Sequence, residues 1–215
     1  MGRTKAHTAY KSEDGQRLKS VTTILNNLGW NKNVLMAWVR RTAMAGLDPD
    51  KVKEEAANIG TLAHHLCECH IKGIKPDTSE YAPDMVEKAE NAFLGYLDWE
   101  KMTKPVYEAV ELKMVSEKYR FGGTADFIAR INGTLVLGDL KTARGLYPEM
   151  TAQLAAYRVM YLELQPKAKI ESAMILRIDK ENGSFAHHMI SKYQLQWGWD
   201  VFKHCLALEE LKKAA

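Results

Sequence analysis

Residues 122–157 read GGTADFIARINGTLVLGDLKTARGLYPEMTAQLAAY, and this stretch sets the architecture. Two apolar runs, FIARI (127–131) and TLVL (134–137), are separated only by Asn132-Gly133. That dipeptide is the strongest short signal for a two-residue β-hairpin with a type I′ turn. Pairing Ile131 with Thr134 sets Ile128 opposite Leu137 and Asp126 opposite Asp139. Directly opposed side chains on one sheet face have Cβ atoms about 4.5–5.5 Å apart, and like charges there weaken the pairing. Lys141 follows Asp139 by two residues and so points to the same face. Two carboxylates and an ammonium inside an otherwise apolar hairpin suit a cation site. The same pattern also describes a charged surface cluster at a frayed hairpin end.

The hairpin strands extend over about 120–131 and 134–141, and around them the spacing predicts a strand at about 106–116, a helix from about Pro148 to Leu164, and a strand within IESAMILRID. Asn182-Gly183 predicts a second two-residue hairpin into FAHHMI, and a helix is expected over about 191–213 with Leu195, Trp199, Phe202 and Leu206 on one side. Upstream, Ser20 or Thr22 caps a short helix running to Leu28, and a second helix over 33–45 carries Val34, Leu35, Trp38 and Val39 on one side. A third, from Pro49 to Ile71, has Gly60 at its middle, where glycine costs roughly 1 kcal/mol relative to alanine. Close approach of another backbone or a ligand would explain it. His64 lies one turn before Glu68, which fits either a metal-binding imidazole oriented by a carboxylate or a surface pair. Pro83 opens a fourth helix with Val86, Ala89, Phe93 and Leu97 as its stripe. The order is several helices, then βββ, α, ββ, α. It implies an α/β protein with a mixed sheet flanked by helices, the strand after the crossover helix running parallel to one in the meander. Residues 1–19 form an arm or small hairpin, and 20–215 a single domain with a helical part over 20–100, a sheet core over 105–190 and a C-terminal helix.

The 215 residues suit one domain with a sizeable core, and 46% hydrophobic and 27% charged residues are those of an ordinary globular protein. A net charge of +3 is compatible with a polyanionic partner without demanding one. Cys67, Cys69 and Cys205 are too few and too oddly spaced for a disulfide framework, and a zinc site using Cys67, Cys69, His65 and His70 lacks a second ligand pair. No apolar run reaches the length of a membrane span, and MGRTKAHTAYKSEDGQ has no apolar signal segment. A cytoplasmic protein is expected.

Taken together, these residues resemble the PD-(D/E)xK nucleases of the restriction-endonuclease-like fold, with Asp126 on the second strand and Asp139-Leu140-Lys141 on the third. Within that superfamily the chain is similar to the RecB-like exonuclease branch, which includes phage exonucleases, CRISPR-adaptation nucleases and the mitochondrial genome maintenance exonuclease. The branch carries a G-x-x-x-H segment, matched by Gly60 to His64, an upstream Glu matched by Glu111, and a Q-x-x-x-Y motif matched by Gln153 to Tyr157. The resemblance spans about residues 20–200 and implies an α-βββ-α-β core with an N-terminal helical extension. Members with an iron–sulfur cluster place three cysteines near the C-terminus, where this chain has only Cys205, so no cluster is expected.

The resemblance implies hydrolysis of DNA phosphodiester bonds with Mg²⁺ or Mn²⁺ held by His64, Asp126, Asp139 and the Leu140 carbonyl. Carboxylates select hard ions and an imidazole shifts the preference toward Mn²⁺. Glu111 is left with either a second ion or a coordinated water. Lys141 positions and helps deprotonate the attacking water or stabilises the charged phosphorus centre, and Gln153 and Tyr157 face the site or the DNA backbone. Arg144, Arg40 and Arg41 are candidate phosphate contacts. Trp30, Trp38, Trp197 and Trp199 fit either stacking on unpaired bases or a place in the core. The implied activity is an exonuclease on single-stranded or end-exposed DNA in repair, recombination or phage DNA metabolism, in a bacterial or phage-infected cell, with a recombination or replication protein as a possible partner. Two alternatives are a structure-specific endonuclease and a non-catalytic DNA- or partner-binding module. The module is disfavoured because every catalytic position is filled.

Overall fold

The computed structural model describes residues 9–143 and 145–214, with the side chains to residue 212. In chain order the elements are β1 (Tyr10–Lys11), β2 (Arg17–Ser20), α1 (Val21–Leu25), α2 (Lys32–Met44), α3 (Pro49–Lys72) and α4 (Pro83–Thr103). They continue with β3 (Val106–Ser116), β4 (Phe121–Ile131), β5 (Thr134–Lys141), α5 (Pro148–Leu164), β6 (Ser172–Ile178), β7 (Phe185–Ile190) and α6 (Lys192–Ala214). Strands β3, β4 and β5 form an antiparallel meander, α5 crosses over, and β6 returns parallel to β5 before β7 closes the far edge antiparallel. Helices cover both faces of this mixed seven-stranded sheet, so the α-βββ-α-β order implied by the sequence is the one observed.

The β4–β5 turn has Asn132 at φ 50° and Gly133 at φ 79°, the pair of positive values a type I′ turn needs. It sets the expected register, Ile131 opposite Thr134 and Ile128 opposite Leu137. The ladder then stops at Phe127–Gly138. Asp126 and Asp139 fall in the first position beyond it, so they are not a ladder pair as the register alone predicts. Opposed carboxylates disfavour pairing there, and the Asp126 carboxylate takes the Leu140 N–H at 2.6 Å. The strands part where the charges begin.

Two apolar layers hold the sheet. On one face α1, α5 and α6 bring Ile24, Leu154, Met160, Leu195 and Phe202 against Ile128, Leu137 and Ile175. On the other, α3 and α4 bring Ile59, Leu62, Leu66, Tyr96 and Trp99 against Phe127, Val136, Leu140 and Met174. The inward stripe of α4 is Ala89, Ala92, Tyr96 and Trp99, with Val86, Phe93 and Leu97 half-buried beside it, a rotation from the expected face that puts the two largest rings inside.

Several expectations are corrected. Helix α1 is capped by the Ser20 side chain but ends at Leu25, after which Asn27 and Leu28 bond back to Ile24 and Leu25 in tighter turns. Helix α2 forms over nearly the expected range but buries none of its residues; Val34, Leu35 and Met36 are exposed. The β6–β7 connection is wider than a two-residue turn: Ile178 pairs with Phe185, and Asp179 and Asn182 side chains accept the Glu181 and Ser184 N–H groups within it. Residues 17–20 do more than form an arm or local hairpin, because β2 pairs parallel with the start of β4.

The wide β6–β7 turn also fixes α4. A Cβ on Gly95 would lie 2.1 Å from the Gly183 carbonyl oxygen and 2.7 Å from Ile178 Cγ2. Because one obstacle is backbone, the helix itself must move, and overpacking of this kind costs about 1–3 kcal/mol. Gly95→Ala should therefore lower the urea midpoint by that equivalent with an unchanged m-value. A midpoint matching the parent would show that α4 is not seated against the turn.

Candidate active site

The gap between β4 and β5 is filled from two sides. From α3 comes His64, whose Nδ1 lies 3.5 Å from Asp126 Oδ1. Gly60, one turn earlier, lets α3 approach the end of β5, since a Cβ there would meet Thr142 Oγ1 at 3.1 Å. The mid-helix glycine thus sits at a close approach, one turn from His64.

Across β4, Glu111 sits between the paired residues Val110 and Leu112, which face Phe127 and Ala125. Glu111 therefore stands opposite Asp126. Its φ of 51° is left-handed, a conformation that costs a non-glycine residue about 1–3 kcal/mol and persists only where the surroundings enforce it. One ligand atom from each of His64, Glu111 and Asp126 can be chosen so that all lie within 4.8 Å of one another. A small cavity of about 20 Å³, lined by these three residues and Leu140 among others, adjoins them. That is room for a single ion or water. Two carboxylates and one imidazole are the oxygen-rich donor set that suits Mg²⁺ or Mn²⁺, so the residues fit the ion the sequence implies.

From the opposite face α5 supplies Gln153, whose Nε2 donates to Asp139 Oδ1 at 3.3 Å and lies 2.8 Å from the Tyr157 hydroxyl. Asp139 is buried, and the Lys141 ammonium lies 2.6 Å from its Oδ2. The hairpin's two aspartates thus serve different neighbours, Asp126 facing α3 and Asp139 facing α5. Among the described groups it is Glu111, rather than Asp139, that clusters with His64 and Asp126. Tyr157 is buried, and its hydroxyl accepts from Gln153 Nε2.

Charge follows this geometry. Burial raises the Asp139 carboxyl above the usual aspartate range, opposed by Lys141 and reinforced by Asp126. Asp126 is buried too, but His64, Lys141 and the Leu140 N–H outweigh that and hold it below the usual range. Burial pulls His64 down, and Asp126 more than offsets it. Lys141 behaves likewise: burial is outweighed by Asp139 and Asp126, so its proton is held on Nζ.

The remaining candidates separate clearly. The Leu140 backbone reaches the site, its N–H donating to Asp126, and the small cavity beside His64 is lined in part by Leu140. Glu68 pairs with Lys72 at 2.6 Å and approaches His65 at 4.0 Å. Arg40 and Arg41 are exposed on α2, and Arg144 lies outside the described residues. Cys67 and Cys69 are buried and form no disulfide, and Cys69 Sγ lies 3.5 Å from His65 Nε2. The spacing of the sequence carries no sign that Trp30 and Trp197, far apart in the chain, stack with centroids 6.2 Å apart, or that Trp30 lines the same groove as Lys141.

No family model and no curated protein matches this chain. Among solved structures it is similar to one described as the crystal structure of SSO0001, with 18% identity, coverage of 68% of this chain and 72% of that one, and a TM-score of 0.34. It is also similar to the alkaline exonuclease LHK-Exo from Laribacter hongkongensis, with 10% identity, coverage of 72% and 84%, and a TM-score of 0.30. The same exonuclease in complex with dAMP matches equally. Likenesses this distant carry no functional argument. The chemistry rests on the residues.

Proposed function

We propose that this chain is a divalent-metal-dependent DNA exonuclease acting on single-stranded or end-exposed DNA, with roles in repair, recombination or phage DNA metabolism. The observation that carries the reading is the meeting, at one break in the sheet, of the His64–Glu111–Asp126 cluster with the Asp139–Lys141 ion pair. His64, Glu111 and Asp126 would hold Mg²⁺ or Mn²⁺, with Asp139 beside them, and the ion supplies Lewis acidity and orients the phosphate when bound. Lys141 keeps its proton while Asp139 and Asp126 flank it, so it offers a fixed positive charge to the oxygens that gain negative charge as the phosphodiester is attacked. Gln153 anchors Asp139, and Tyr157 anchors Gln153. Together they hold the ammonium in place without themselves touching the reacting atoms.

The test is digestion of end-labelled linear single- and double-stranded DNA beside a circular single strand, with Mg²⁺, Mn²⁺ or EDTA. Shortening of linear DNA only, dependent on metal, is the expected result, and the label lost first gives the polarity. Cutting of the circle would assign an endonuclease instead. Binding without cleavage under any ion would leave a binding module.

A further inference from the structure

Beside Lys141 the surface opens into a groove of about 420 Å³ between the α1–α2 connection and the first turns of α5. Lys141 and Gln153 line it at the active-site side, and Trp30, Lys32 and Leu35 line it where α2 begins. Trp30 and Trp197 stack with an interplanar angle of 28° yet remain 50% and 45% exposed. About half of each ring's surface thus stays open to solvent, and α2, which follows Trp30, buries none of its own residues and does not cover them. In the groove wall, Glu149 Oε1 accepts from Asn31 Nδ2, while Glu149 Oε2 is buried with no partner among the described residues.

We infer that this groove seats an unpaired nucleoside of the DNA strand being cut, its base stacked on Trp30 and its neighbouring phosphates at Lys32 and Lys141. This rests on the nuclease reading above and adds the substrate contact that reading lacks. An aromatic surface and two lysines lining one groove match the base and phosphate chemistry of a single strand. A lipid or an apolar peptide would leave both cations facing hydrocarbon. Within a duplex both faces of a base are already stacked, so only an unpaired or terminal base can offer a face to Trp30, and the stacked Trp197 holds that shelf in one orientation. The unpartnered Glu149 oxygen in the groove wall accepts from a ring N–H of the unpaired base, such as thymine N3–H. The groove volume also lies within the range of pockets that take a ligand of nucleotide size.

The test measures binding of a labelled oligothymidylate of about eight nucleotides by fluorescence anisotropy in EDTA, together with kcat and KM for its cleavage with Mg²⁺ or Mn²⁺. Trp30→Ala should weaken binding about 5- to 100-fold, with the loss falling on KM more than on kcat, and Trp30→Phe should recover most of it. Cleavage by the parent protein with Trp30→Ala binding within twofold of it would overturn the groove assignment and leave the nuclease reading standing. If the parent neither binds nor cuts DNA, both fall. A parent dimer that Trp30→Ala dissociates, with oligonucleotide binding unchanged, would give the groove to a second copy of the chain and likewise overturn the assignment.

Discussion

Asp126→Asn is expected to slow DNA hydrolysis by at least about 10³-fold while the chain stays folded. The substitution preserves shape. An asparagine oxygen can still accept the Leu140 N–H that Asp126 holds at 2.6 Å, so the junction of β4 and β5 keeps its geometry. What disappears is the negative charge that faces His64 Nδ1 at 3.5 Å and lies opposite Glu111. An ion held by that cluster loses its central carboxylate. Thermal unfolding supplies a second readout independent of DNA. A ligand bound only by the folded state at a hundred times its Kd adds about 2.7 kcal/mol of stability. For a chain of this size each kcal/mol is worth about 2–4 °C in Tm. Mn²⁺ or Mg²⁺ should therefore raise the parent Tm by several degrees and that of Asp126→Asn far less. Equal shifts in the two proteins would place the ion elsewhere.

The same carboxylate gives a pH signature in metal-free protein. Its folded pKa is depressed, since His64, Lys141 and the Leu140 N–H outweigh burial. A depressed folded value means that the ionised group contributes stability above the ordinary aspartate pKa, and that this contribution fades as pH falls through the lower folded value. Urea midpoints should separate the parent from Asp126→Asn at neutral pH and converge in strong acid. A gap that widens on acidification would contradict the assignment of His64 and Lys141 as its charge partners.

How far the sequence reveals this site depends on which interactions are local. The Asn132-Gly133 turn fixes its register through one tight turn, so the Asp126–Asp139 neighbourhood is legible in the sequence. Gly60 is legible as an anomaly, because nothing in helix propensity justifies it, and its cause is the approach of Thr142. Other features are not local. The parallel pairing of β2 with β4 joins Ser20 to Gly122, and no periodicity announces a contact across that separation. Helix α2 has the apolar spacing of a buried helix and buries nothing, because spacing reports a face without reporting what covers it. The register argument assigns side-chain direction from strict alternation, and that fails where the ladder ends. Asp126 turns to His64, Asp139 turns to Gln153, and Glu111 takes the third place in the cluster.

The position of Glu111 makes the sharpest test of whether the strand is bent for chemistry. In an ordinary strand, glycine is about 0.5–1 kcal/mol less stable than alanine. At a φ of 51° the order should reverse, because alanine keeps the left-handed strain and glycine does not. Glu111→Gly and Glu111→Ala remove the same carboxylate and the same interactions, so their difference isolates the backbone. We expect Glu111→Gly to be the more stable by about 1 kcal/mol in urea unfolding. Both should lose at least about a hundredfold in cleavage rate and most of the metal-induced rise in Tm. Glu111→Gln, which keeps the strain and a neutral acceptor, should be as inactive as the alanine variant if charge is what the ion requires. Alanine more stable than glycine would mean that β3 runs straight through this position. Near-parental cleavage by Glu111→Gln would mean that the carboxylate contributes shape and hydrogen bonding rather than charge, leaving His64, Asp126 and Asp139 to hold the metal. The reversed order together with inactive variants would tie the strain to function: the chain sacrifices local strand stability to turn a third acidic group toward His64 and Asp126.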